Sequence, residues 1–184
     1  MIRFFDIFFS FIGLLILSPI YLLILILCFF DTGSPIFTQE RIGKEMMPFS
    51  LFKFRSMKIG TNSIATHLTS ESSVTLFGRV LRKSKLDELP QLWNVFVGDM
   101  SLVGPRPNLY NQYELIKERE CRGIYKVRPG ISGIAQISKI DMSTPKLLAE
   151  TDMRMIRELN LKKYFFIIFQ TILGKGTGDS TTKT

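Results

Sequence analysis

Residues 7 to 30, IFFSFIGLLILSPIYLLILILCFF, carry no charged side chain. A run of 24 such positions is long enough to enter a bilayer. Three structures compete for it. A secretory signal peptide has a shorter apolar core and a small-residue cleavage site, whereas this run ends Cys28-Phe29-Phe30-Asp31 without an A-x-A pattern. A straight spanning helix is opposed by Ser18-Pro19 at the middle of the run. Proline removes a backbone donor and clashes with the preceding turn, so it kinks a helix. Each half is then about 11 residues, or roughly 17 Å, half of a hydrocarbon core of about 30 Å. A kinked hairpin that enters and leaves by one face fits these lengths, with Ser18 bonding a carbonyl that the kink frees. Proline kinks also occur in spanning helices, so the residues alone leave both readings open.

The remainder reads as one domain in a chain of 184 residues. Hydrophobic residues make up 46%, including 16 Phe, which excludes a disordered chain. Two cysteines, Cys28 and Cys121, exclude a disulfide-stapled scaffold. The single His67 excludes a zinc cluster built on histidine and cysteine. Arg3 and Asp6 are the only charges among the first 30 residues, so the net charge of +8 belongs to the part outside the apolar run. A basic domain beside a membrane segment points to the anionic cytoplasmic leaflet.

Along that domain, Ile36–Thr38 reads as a short strand among turns, and Pro48–Met57 as a longer one. Alternation in the second places Leu51, Lys53 and Arg55 on one face, and Phe52 and Phe54 on the other. Two cations two residues apart suit a phosphate, although an edge strand with solvated lysine and arginine reads the same way. Residues 60 to 75 form a polar loop rich in Ser and Thr. Phe77–Lys85 is a basic amphipathic helix, suited to lipid head groups or simply to solvent. In LDELPQLWNVFV, residues 86 to 97, Pro90 fits a first helical position and pushes Leu89 toward an extended conformation. Asp87 and Glu88 then sit just before a helix start, where the dipole favours negative charge. Arg106 lies between two prolines and Arg128 precedes Pro129-Gly130, so both cations sit on stiff backbone. Leu109–Glu120 reads as a helix, Gly133–Ile137 as a strand, and 145 to 173 as helical. Residues 174 to 184 read as a flexible tail.

One acidic pair, separated cations on stiff segments and a membrane insert together suggest Mg²⁺-assisted phosphoryl chemistry. One carboxylate can accept the phosphoryl group as an acyl phosphate while its neighbour serves the metal.

Four segments carry a resemblance in matching order and spacing: KFRSM (Lys53–Met57), LDELPQLWNV (Leu86–Val95), GDMSLVGPRP (Gly98–Pro107) and RPGISGIAQI (Arg128–Ile137). With them the chain resembles the bacterial sugar transferases, the monotopic phosphoglycosyl transferases, over nearly its whole length. The resemblance favours the re-entrant hairpin, because Ser18-Pro19 matches the family's helix-breaking pair. It implies an α/β unit, α+β in type and helix-rich. Residues 1–30 would form the re-entrant membrane helix. Residues 31–173 would form a compact membrane-associated catalytic domain with a small sheet and interfacial amphipathic helices. It also implies transfer of a sugar-1-phosphate from a UDP-sugar to undecaprenyl phosphate through a covalent intermediate on Asp87, with release of UMP. Glu88 matches the acid that helps hold Mg²⁺. Lys53, Arg55, Arg106, Arg128 and Gln136 match positions near the substrates. The expected setting is the cytoplasmic face of a bacterial inner membrane, with membrane lipid as a partner and no nucleic acid. After Gln136 the chain departs from the common Asn-Gly-Arg continuation and reads Ser138-Lys139-Ile140-Asp141. Glu150-Thr151-Asp152 and Gly174-Lys175-Gly176 resemble small members that handle N-acetylated sugars. The competing function is a non-catalytic membrane-bound basic module that binds anionic lipid or a partner protein.

Overall fold

The computed structural model describes residues 1–60 and 73–175. Most of the polar loop and of the C-terminal tail read from the sequence, and His67, lie outside the described residues. The apolar run forms two helices, α1 (Ile2–Ile16) and α2 (Ser18–Thr32), bent by 64° at Leu17. Pro19 has no N–H to offer the carbonyl four residues back, that of Leu15. The Ser18 hydroxyl donates to this carbonyl at 2.8 Å, so the break leaves no orphaned acceptor there. Among the described residues no single helix is long and apolar enough to cross a membrane.

The domain is helix-rich α+β with two small sheets. Strands β1 (Ile36–Ile42) and β2 (Pro48–Phe54) form an antiparallel hairpin in which Ile36 faces Phe54 and Ile42 faces Pro48. Pairing along the whole hairpin makes β1 longer than the expected Ile36–Thr38 and ends β2 before Arg55. Helix α3 (Leu76–Ser84) follows, starting at Thr75, whose side chain accepts from the Gly78 N–H at 2.8 Å. A 3₁₀ turn, Leu86–Glu88, leads into α4 (Gln91–Val97). Leu89 is therefore helical (φ −53°, ψ −38°) rather than extended, with its N–H on the Leu86 carbonyl at 3.2 Å. The local hydrogen bond outweighs the steric bias of the following proline.

Strand β3 (Ser101–Val103) pairs in parallel with β4 (Gly130–Ser132). The two chains approach so closely that a Cβ on Gly130 would lie 2.0 Å from the Gly104 nitrogen, which only glycine tolerates. Helix α5 runs Tyr113–Cys121, starting later than expected because the Gln112 side chain holds the Leu109 N–H in a local turn at 2.9 Å. Gly133–Ile137, expected as a strand, is instead the short helix α6 (Ile134–Ile137). Ile134 and Ile137 lie three apart and both pack on the cluster of Val103, Met155, Tyr164 and Ile167, a spacing that suits a helical turn. The C-terminal helical stretch divides into α7 (Pro145–Glu158) and α8 (Leu161–Ile172), where Asn160 caps α8 by accepting from the Lys163 N–H at 3.0 Å.

Helix α1 is fixed to this domain by its two charges. Asp6, buried, accepts from the Ser101 hydroxyl, the Leu102 N–H at 3.0 Å and the Tyr164 hydroxyl at 2.8 Å. Burial and this neighbouring carboxylate raise the Tyr164 phenol above its ordinary range. Arg3 donates to the carbonyls of Val95 (2.7 Å) and Phe96 (3.1 Å) at the end of α4. Farther along, Phe11 meets Phe96 with ring centres 6.0 Å apart. Helix α2 returns to the same domain: Ile24 and Cys28 pack with Phe54 and Leu81, and Asp31 accepts from Thr75 at 2.6 Å.

Candidate active site

The N-terminal end of α4 gathers charge. Asp87 is buried on the 3₁₀ turn, and Glu88 beside it is 11% exposed at its side chain. One Glu88 oxygen accepts from both Lys53 Nζ (3.3 Å) and an Arg106 guanidinium nitrogen (2.9 Å). Three distant segments thereby meet: strand β2, the turn before α4, and the Pro-Arg-Pro loop after β3.

Each partner has a physical reason to be there. Leu51 and Lys53 share a face of β2, as alternation predicts. Leu51 packs with Val95 and Met100 of the α4 region, while Lys53 reaches Glu88. Asn94 of α4 fixes this registration. Its amide accepts from the Phe52 N–H at 3.1 Å and donates to the Ser50 carbonyl at 2.7 Å. These are the groups a further strand would bond, so one side chain closes the edge of β2.

Arg106 is fixed through its backbone. Its carbonyl accepts from Arg119 at 2.8 Å. The neighbouring Pro105 and Pro107 carbonyls accept from the Gly130 N–H (2.8 Å) and from Arg41 (3.2 Å). Arg119 also donates to Asn108 (2.9 Å) and to Asp152 (2.7 Å). The Arg119–Asp152 pair is almost wholly buried. Desolvation raises the Asp152 carboxyl, while Arg119 pulls it down. Asp152 appeared in the sequence only as part of a segment resembling small family members, and nothing near Arg119 marked it as its partner.

Lys85 adds a further cation beside Glu88, and Arg82 lies on the last turn of the preceding helix. Burial lowers the Lys85 ammonium from its ordinary range, with Glu88 raising it and Arg106 lowering it. Arg82, on the last turn of α3, donates from Nε to the Ser56 hydroxyl at 2.9 Å and carries a buried Nη1 without a hydrogen-bond partner. An unmet buried donor costs about 1–3 kcal/mol, and an anion would satisfy it.

The other residues singled out from the sequence lie elsewhere. Arg55 follows the end of β2 and donates to the Ser34 carbonyl (2.8 Å) and the Ile36 carbonyl (3.3 Å), bracing the turn between α2 and β1. Arg128 sits at the opposite end of α4, its Nε on the Gly98 carbonyl at 2.7 Å. Gln136 is buried on α6 with neither its amide nitrogen nor its oxygen paired. Contacts thus join Lys53, Glu88 and Arg106, with Asp87 next to Glu88 in the chain, while the hydrogen bonds of Arg55 and Arg128 go to other segments.

Two adjacent carboxylates are hard oxygen donors of the kind Mg²⁺ takes, since that ion needs only one or two carboxylates and completes its shell with water and phosphate oxygens. Among the described residues no group of three or more Asp, Glu, His or Cys side chains could form an all-protein cage. The donor set fits Mg²⁺ held jointly with a phosphorylated ligand.

A profile of the bacterial sugar transferase family matches residues 1–176. The chain is 38% identical over 178 residues to UDP-glucose:undecaprenyl-phosphate glucose-1-phosphate transferase of Escherichia coli (strain K12), covering 88% of this chain and 38% of that protein. It is 34% identical over 175 residues to UDP-N-acetylgalactosamine-undecaprenyl-phosphate N-acetylgalactosaminephosphotransferase of Aeromonas hydrophila, covering 91% and 41%. With the exopolysaccharide production protein ExoY of Rhizobium meliloti (strain 1021) it shares 35% identity over 189 residues, 92% of this chain and 83% of that one. The chain spans about half the length, or less, of several curated relatives it matches.

The support of Arg106 by Arg119 is open to test. Arg119→Lys keeps the charge beside Asp152 but loses the planar fork that reaches three acceptors. We expect a loss of about 1–3 kcal/mol in unfolding free energy by urea titration. An unchanged midpoint would show that the fork adds nothing.

Proposed function

The chain belongs to the bacterial sugar transferase family, and from that premise we propose that it transfers a sugar-1-phosphate from a UDP-sugar to undecaprenyl phosphate through Asp87. The observation that carries this reading is the buried Asp87 beside a Glu88 that is tied to two cations from other segments. Two anionic substrates must approach a carboxylate, and one pair of unit charges at 4 Å repels by about 4 kcal/mol at an effective dielectric near 20. Lys53, Lys85 and Arg106 offset that repulsion. When bound, Mg²⁺ held by Glu88 together with phosphate oxygens would supply further neutralisation of phosphate charge.

In the first step an Asp87 oxygen attacks the sugar-bearing phosphorus. The bond from that phosphorus to the bridging oxygen breaks, and UMP leaves with the electron pair. In the second step an oxygen of the lipid phosphate attacks the same phosphorus. The acyl phosphate bond breaks, Asp87 regains its carboxylate, and the product is a polyprenyl diphosphate sugar. We take the sugar to be N-acetylated, on the resemblance of the Glu150–Asp152 segment to small family members and the name of the Aeromonas relative. Such a product would begin assembly of a surface glycan.

The bent pair α1–α2 supports a re-entrant placement on the cytoplasmic face of the inner membrane. Two legs of 15 residues bent by 64° give a vertex about 12 Å from the line joining their ends, within one leaflet of about 15 Å. Both ends hold the same domain, α1 through Arg3 and Asp6 and α2 through Asp31. A spanning segment would carry the start of α1 away from that domain. Leu15, Ile16, Leu22 and Leu23 around the vertex are exposed, as lipid contact requires.

The activity test is UMP release from a panel of UDP-sugars with undecaprenyl phosphate and Mg²⁺. Asp87→Asn should lower the rate at least about a thousandfold, and Glu88→Gln should lower rate and Mg²⁺ dependence together. Release from no UDP-sugar, with vesicle binding intact, would favour the non-catalytic module instead. For the hairpin, a cysteine appended ahead of Met1 should react only with reagents that reach the cytoplasm; labelling by an impermeant periplasmic reagent would establish a spanning helix.

A further inference from the structure

A cavity of about 380 Å³ has neither Asp87 nor Glu88 in its lining and is within the size range of small-molecule sites. Four cations line it: Arg3 from α1, Lys44 from the β1–β2 turn, and Lys126 and Arg128 from the segment before β4. Asp6 is the one acid among the lining residues, and its oxygens already accept from Ser101, Leu102 and Tyr164. Among the described residues none of the four cations forms a salt bridge within 4.0 Å. Arg3 and Arg128 instead rest on uncharged carbonyls at the end of α4. Four positive charges facing one carboxylate make a cavity that is short of negative charge.

Its lining is distinct from the acidic pair, although Gly104 and Pro105 of that lining lead directly into Arg106. Asp87 lies on the turn before α4, whereas Arg3 and Arg128 rest on carbonyls at its C-terminal end, and the seven residues of α4 between them span about 10 Å at 1.5 Å per residue. None of Lys53, Asp87, Glu88 and Arg106 lines the cavity.

The neighbourhood indicates what kind of anion it takes. One wall is the first turn of α1, through Ile2, Arg3 and Asp6. The same helix then presents exposed Phe4 and Phe8. Phe5 and Phe9 meet Phe165 of α8, with ring centres at 5.2 Å and 6.0 Å, and Phe166 and Phe169 of α8 are exposed. A cationic cavity thus adjoins a continuous aromatic surface. No aromatic ring lines the cavity itself, among the described residues, on which a nucleobase could stack. Phosphate held by cations with hydrocarbon laid over aromatic rings is the chemistry of a phospholipid.

We propose that this cavity is a second phosphate site, holding the phosphodiester head group of an anionic membrane lipid apart from the Asp87–Glu88 pair. The choice of a lipid rests on the membrane placement given above. A lipid seated there would join the start of α1 to the bilayer at head-group level, and would screen Arg3 from Arg128.

The test uses the full chain in detergent and native mass spectrometry with added phosphatidylglycerol, phosphatidylcholine, UMP or inorganic phosphate. Lys44 and Lys126 are both exposed, so Lys44→Gln/Lys126→Gln removes two charges without opening the core. We expect the wild type to retain phosphatidylglycerol over phosphatidylcholine, and the double variant to retain it at least about tenfold more weakly. UMP and inorganic phosphate should not displace the lipid. Equal retention by the variant, or equal retention of the two lipids, would overturn the site. Displacement by UMP or inorganic phosphate would overturn the lipid assignment and give the cavity to a soluble phosphate. The readout involves no turnover, so it stands or fails independently of the role of Asp87.

Discussion

The guanidinium of Arg3, set on the last carbonyls of α4, joins the apolar helix pair to the helix that follows the acidic pair. A helix end leaves its final carbonyls without partners, and a cation there satisfies them while complementing the dipole. Gly98 follows immediately with φ 111°, and a Cβ at that position would lie 3.3 Å from the guanidinium. The chain therefore turns away from α4 while leaving room for Arg3. Asn94 ties the middle of α4 to the edge of β2, and its N-terminal approach presents Asp87 and Glu88. One short helix thus sets the position of the carboxylates relative to α1 and the bend that follows it.

The second layer of order lies under Arg106. Arg119, held in turn by the buried Asp152, donates to the Arg106 carbonyl of the Pro-Arg-Pro loop. A buried ion pair is weak evidence for stability, because desolvation offsets its attraction. Its effect here is geometric: the loop has one position, and Arg106 projects from it to Glu88. Preorganised charge of this kind needs no rearrangement when a phosphate arrives.

The sequence disclosed some of this directly. Ser18-Pro19 predicted the break, and the Ser18 hydroxyl lies on the very carbonyl that Pro19 leaves free. Alternation placed Lys53 with Leu51, which is the face turned to α4. The same alternation extended one residue pair too far, because β2 stops at Phe54 and Arg55 serves the α2–β1 turn. Gly133–Ile137 was misread because four or five residues hold too few repeats to separate a period of 2 from one of 3.6. Arg119 with Asp152 and the Asn94 bridge across to β2 were invisible, since they join residues 33 to 44 positions apart and no local pattern records such partners. The cationic cavity was hidden for the same reason: Arg3, Lys44 and Arg128 come together only once the chain has folded.

The central claim is that the Asp87 carboxylate carries the phosphosugar between donor and lipid. Intact-protein mass spectrometry of the wild-type chain, given its UDP-sugar and Mg²⁺ without undecaprenyl phosphate, tests it most directly. The account predicts a mass gain of one sugar phosphate, mapped by peptide fragmentation to Asp87 and lost when the lipid phosphate is added. No adduct under conditions that support turnover, together with kinetics requiring both substrates bound at once, would contradict it.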